Sequence, residues 1–290
     1  MSTASSTSQP TPSPLPLRLD SAQKSSETLP LRPKKKSSFR SAKLRLQIED
    51  LSSIGSQVFL SAVNAATVLE DAVRGVQELL YTPDSEIPGT RSITLILRSM
   101  PGVAYTTGSS LDNDHKEIHF STDYIQHIAK DRCREEILGV IRHEVVHCWQ
   151  WNGHGSAPGG LVEGIADWVR LRSGFVPPHW SRGSSDRWDA GYQHTGYFLD
   201  YLEDVYGEGS VMVINGWLYD HRYGEEMWKT LFKKPVEKLW DDYCKSLGKK
   251  PVNSQSVSSS DSHVLQRSCD ESTSSDTDEI PTPEPGSPSQ

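Results

Sequence analysis

Apolar residues recur at helical spacing through QVFLSAVNAATVLEDAVRGVQELL, which predicts a helix from Gln57 to Leu80. The pattern changes at Arg91. RSITLILRS, residues 91–99, alternates and is rich in Ile and Leu, so it predicts a strand. Pro101-Gly102 turns the chain into VAYTTG, a second short strand, and the polar stretch SSLDNDHK leads into EIHFST, a third. Three strands this close in sequence predict one small sheet with mostly antiparallel pairings. Ser121 is placed to cap a helix in STDYIQHIAKD. DRCREEILGVIRHEVVHCWQWNG predicts the next helix, starting near Asp131 and stopped at Asn152-Gly153. LVEGIADWVRLRSG predicts a shorter one ended by Gly174, and the paired prolines of FVPPHW exclude helix beyond it. Further helices are expected from about Ala190 to Tyr206, near 208–218 and 223–232, and through PVEKLWDDYCKSLG.

Composition marks where this pattern ends. Residues 1–42 are rich in Ser, Thr and Pro around a basic cluster, RPKKKSSFR, and residues 251–290 are Ser/Pro-rich and acidic. Neither segment has enough apolar surface to offset its ordering entropy, so both are expected to be disordered. All eight tryptophans fall between them, in the span 43–250, which is ample for a core. The net charge of −8 is partly that of the acidic tail, and no domain-wide basic field invites nucleic acid. The four cysteines have no paired spacing, and no apolar run reaches membrane-spanning length. The first thirty residues lack the apolar core of a secretory signal, so an intracellular protein, cytoplasmic or nuclear, is expected. The KKK run is compatible with a nuclear address.

The chemistry is concentrated in HEVVHCWQWNGHGSAPGGLVEGIAD, residues 143–167. His143, Glu144 and His147 form H-E-x-x-H. Residues four apart lie one turn apart on one helix face, so both imidazoles can reach one zinc ion. Glu144, beside the first ligand, can take a proton as zinc-polarised water attacks a carbonyl and return it to the leaving amine. A buried helix also bears two histidines and a glutamate at a cost, unless something satisfies them.

Two residues compete for the third ligand position. His154 follows an Asn-Gly turn, as in the metzincin pattern, but that pattern requires glycine where this chain has Gln150. Glu163 is favoured. It lies on the following helix with Asp167 one turn further on, and Asp167 is placed to accept the free N–H of a ligating histidine. His-Glu-x-x-His followed by Glu-x-x-x-Asp is a gluzincin arrangement.

The runs GVAYT, EIHFST, VIRHEVVHCWQWNGHGSAPGGLVEGIADWVRLRSGFVPPHW, DRWDAGYQHTGYFLDYLE and KLWDDY follow one another in a way that resembles the basic secretory protein family. These are zinc-dependent peptidases of plants, fungi and bacteria, placed among the zincins, and the resemblance covers roughly residues 45–248. It implies an α+β zincin-like domain, with a small sheet over the His143 helix and a helical C-terminal half. It also implies a peptide or protein substrate, bound along a sheet edge beside the metal. Unlike many members of that family, this chain is acidic.

Zinc hydrolases also need a donor for the developing oxyanion, and Tyr192 is the leading candidate, with His179 and His194 behind it. The expected function is therefore a zinc metallopeptidase, an endopeptidase by preference. The alternative is a zinc-stabilised binding or defence-type protein that uses the same cleft with little turnover.

Overall fold

A computed structural model of the chain describes residues 41–110 and 112–248. The expectations for the two tails, 1–42 and 251–290, lie almost wholly outside the described residues. Four strands and nine helices are present among those described: β1 Lys43–Ile48, α1 Ile54–Ala62, α2 Val68–Leu80, β2 Ser92–Arg98, β3 Ala104–Gly108, β4 His115–Ser121, α3 Thr122–Ile125, α4 Cys133–Trp149, α5 Gly159–Arg172, α6 Tyr192–Tyr206, α7 Ser210–Asp220, α8 Glu225–Phe232 and α9 Val236–Leu247.

The sheet corrects the expected antiparallel arrangement. Its order is β1-β2-β4-β3; β1 pairs parallel with β2, β2 pairs parallel with β4, and β3–β4 is the antiparallel pair. Two features of the chain account for the difference. KLRLQI adds a strand next to the Ser/Pro-rich segment and returns to the sheet through α1 and α2, a crossover that makes its pairing parallel. The Pro101-Gly102 turn does not close a hairpin either. β3 is carried to the outer edge, and β4 folds back into the gap between it and β2. Ile93, Leu95 and Leu97 of β2 and Ile118 and Phe120 of β4 are fully buried, so the apolar strands take the centre.

The helix expected over 57–80 is two helices. Val63 leaves α1 in an extended conformation, and the Asn64 side chain accepts the backbone N–H of Ala66 at 3.0 Å. That local bond competes with the helical ladder, so α2 starts afresh at Val68. Ser121 does cap α3, accepting the N–H of Tyr124.

α4 crosses the centre of the core, with Ile137, Val140, Ile141, Val145, Val146 and Trp149 all buried. Its last carbonyls are taken by side chains from outside: Tyr81 Oη donates to Trp149 O, and Thr90 Oγ1 donates to Cys148 O at 2.6 Å. On the other flank, Arg170 of α5 lies across Gly139 and pairs with Glu136 at 2.9 Å. A Cβ at position 139 would fall 2.7 Å from Arg170 Nε, so the ion pair needs a glycine there. α5 packs in turn on α6, where a Cβ on Gly164 would collide with the Thr195 side chain. These close approaches fix the position of α5, and with it Glu163 and Asp167.

Candidate metal centre

α4 carries His143 and His147 on one face, one turn apart, and α5 folds back to place Glu163 opposite them. One ligand atom from each of the three lies within 4.8 Å of the other two. His143 Nε2 is 3.1 Å from Glu163 Oε2, His147 Nε2 is 3.6 Å from the same oxygen, and the two Nε2 atoms are 3.3 Å apart. Such an arrangement, two imidazole nitrogens and a carboxylate oxygen converging on one point, could hold a metal ion.

Each histidine is oriented from behind. Asp167, 3% exposed, meets His143 Nδ1 at 2.7 Å through Oδ1. The Gln150 amide meets His147 Nδ1, also at 2.7 Å. Both imidazoles therefore present Nε2 to the cluster and Nδ1 to a polar partner. Burial alone would push the His143 imidazolium pKa down, but the Asp167 carboxylate, helped by Glu163, outweighs it and holds the value up at about 10. Burial would likewise raise Glu163, yet the hydrogen bonds from His143 and His147 hold its carboxyl well below the usual carboxylate range. A cation among the three would favour the ionised Glu163 and displace the proton on His143.

Glu144 is outside the cluster although it adjoins His143. Its carboxylate is 6% exposed as a residue and turns toward the sheet, where Thr106 Oγ1 lies 2.7 Å from Oε2 and 3.0 Å from the Glu144 carbonyl. Thr106 belongs to β3, the edge strand, with Ala104 and Gly108 on the same face; Tyr105 on the other face is exposed and stacks on His119 with centroids 4.6 Å apart. Beyond β3 the sheet has no further strand among the described residues.

Tyr192 starts α6 with a left-handed backbone, φ 47°, which is uncommon for a bulky residue. Its ring lies nearly parallel to that of His143, at 11° and 6.2 Å between centroids, and the residue is 38% exposed. His154 lies in the exposed turn after α4, also with positive φ, and is not part of the cluster. His179 is exposed and His194 half-buried, neither within the cluster. Of the five tryptophans between residues 149 and 188, Trp149 and Trp168 are buried, and Trp188 packs edge-on against Trp228.

Two contributors, Thr106 and Gln150, were not anticipated from the sequence. Thr106 carries no local signal, because its partner is 38 residues away across a sheet–helix contact. Gln150 was legible in principle, being three residues after His147 and so on the same face of the helix end.

Fold and cluster together define a mixed α/β protein with a His/His/Glu cluster, buried at His143 and half-buried at His147 and Glu163, that could hold a metal ion. The chain belongs to the family described as BSP, peptidase of plants and bacteria, whose model matches residues 41–243, more than half of its length. Searches against curated proteins and against solved structures gave no match. Membership of a peptidase family implies protein or peptide substrates, and no helix among the described residues is long and apolar enough to cross a membrane.

Proposed function

We propose that the protein is a zinc-dependent metallopeptidase, with His143, His147 and Glu163 as the residues that hold zinc and Glu144 as the general base. The observation that carries this reading is the convergence of those three ligand atoms within 4.8 Å, with Glu144 adjacent but held apart from them. Two imidazoles and one carboxylate are a donor set suited to zinc in a catalytic site, where three protein ligands leave a position open. When bound, zinc supplies Lewis acidity, polarising a carbonyl and making water acidic near neutral pH.

The remaining work falls to this chain's own side chains. Glu144 takes a proton from the attacking water and returns it to the leaving amine, a role that contributes about 10²–10⁴-fold in rate. Thr106, by donating to one Glu144 oxygen, holds the carboxylate in place for these transfers. The edge of β3, beyond which no strand lies among the described residues, offers backbone groups to an extended peptide, which would lie beside Thr106 as an added strand. Tyr192, strained in its backbone and stacked over His143, is the group suited to donate to the developing oxyanion.

The test is metal dependence. The purified full chain should carry about one zinc per molecule and cleave an unfolded protein substrate. A chelator should abolish cleavage, and zinc at equimolar level should restore it. Cleavage that persists in metal-free protein would overturn the reading.

A further inference from the structure

Gln150 stands to His147 as Asp167 stands to His143, although it comes from a different element and bears no charge. It follows α4 directly and folds its side chain back over the last turn. Its backbone is pinned on both sides: the Gln150 N–H donates to Val146 O at 2.8 Å, and the Trp151 N–H donates to Asn215 Oδ1 at 3.0 Å. The side-chain amide is thereby held 2.7 Å from His147 Nδ1.

The amide can face the imidazole in two ways, since its oxygen and nitrogen ends have nearly the same outline. With Nε2 toward the ring, the amide donates to Nδ1, the imidazole proton sits on Nε2, and the buried Oε1 of Gln150 has no partner. The opposite orientation leaves an unpartnered donor at the same place, so this cost does not choose between them. With the amide reversed, Oε1 accepts from Nδ1–H, and His147 Nε2 carries a lone pair toward His143 and Glu163. Only the second arrangement lets His147 act as a ligand, because a protonated Nε2 cannot coordinate.

We infer that Gln150 is a positioning residue for the metal centre: its Oε1 accepts from His147 Nδ1–H and fixes the tautomer that leaves Nε2 free to bind a metal. This rests on the reading of His143, His147 and Glu163 as a zinc site. The neutral amide has a consequence of its own. Glu144, Glu163 and Asp167 already bring three carboxylates to the site, and a fourth behind His147 would add to their mutual repulsion. An amide gives the needed acceptor without that charge.

The experiment uses the full-length protein, Zn²⁺ as the probe and a chromophoric chelator as competitor. Gln150→Leu, which keeps the volume and removes the acceptor, should weaken zinc binding by about 10–100-fold, the range typical of lost support behind a ligating histidine. Gln150→Glu should recover most of that loss, as replacing packing alone would not require. In the metal-free wild type, at a pH where the ring is neutral, ¹⁵N spectra of His147 should show the proton on Nδ1. If Gln150→Leu binds zinc as tightly as wild type, or Gln150→Glu binds no better than Gln150→Leu, the inference is wrong. Should the leucine variant fail to fold, the wild-type spectrum decides, and a proton on Nε2 contradicts the inference. Wild-type protein that binds no zinc at all would instead overturn the underlying metal reading, so the two failures are distinct.

Discussion

The helices that carry the cluster and the sheet beside them are built differently. α4 is enclosed: Trp149 at its end is fully buried, its final carbonyls are bonded by Tyr81 and Thr90, and Arg170 braces its middle. The outer strands β1 and β3 instead alternate between exposed and half-buried positions, and no strand pairs with the outer side of β3 among the described residues. This difference matches what each region is asked to do under the proposed function. Ligands must be held to within fractions of an ångström by packed surroundings, whereas a peptide needs an accessible edge to bind. Thr106 is where the two meet, an edge-strand hydroxyl bonded to the helix glutamate.

The contrast can be broken most forcefully in the helices. Trp149→Ala should cost about 3–5 kcal/mol of stability in a urea titration, as expected for emptying a closed aromatic site. Leu44→Ala on half-buried β1 should cost roughly half that at most. Equal losses at the two positions would erase the distinction.

Smaller effects sharpen it. Gly164→Ala places a methyl group against Thr195 and should destabilise the protein by about 1–3 kcal/mol through overpacking of α5 on α6. Asp167→Asn should leave the fold intact and weaken zinc binding by about 10–100-fold in a chelator competition. The same variant has a pH signature in metal-stripped protein. The His143 pKa is raised from 6.5 to about 10, so the stability this group contributes is fully present below 6.5 and lost as pH rises toward 10. Thermal melts of the stripped wild type should show that decline, and Asp167→Asn should flatten it. Smallest in its effect, Thr106→Val should leave stability and zinc content unchanged and lower kcat/KM by about tenfold, by loosening the Glu144 carboxylate proposed as the general base.

The same division explains which features were legible in the sequence. Helix periodicity and H-E-x-x-H spacing are local, so α4, α5 and the relation of His143 to His147 could be read directly. Glu163 and Asp167 were also accessible, since they sit one turn apart on the next helix, and a short turn leaves that helix little choice but to pack on α4. The sheet order was not accessible. Nothing local in RSITLILRS or EIHFST states that β4 inserts between β2 and β3, or that KLRLQI, far upstream, joins beside β2. The break at Asn64 was hidden because apolar spacing continues across it, while the competing bond to Ala66 is a side-chain effect. Thr106 was missed for the same reason as the sheet order: its function depends on a contact made only after folding.

Under the proposed function, Glu144 performs the proton transfers at a centre built by other residues. That role is tested most directly by comparing wild type with Glu144→Gln, measuring zinc content and cleavage of an unfolded protein in the same samples. The variant should keep about one zinc per chain while its cleavage rate falls by about 10²–10⁴-fold. A variant that retains its zinc and still cleaves at the wild-type rate would contradict it.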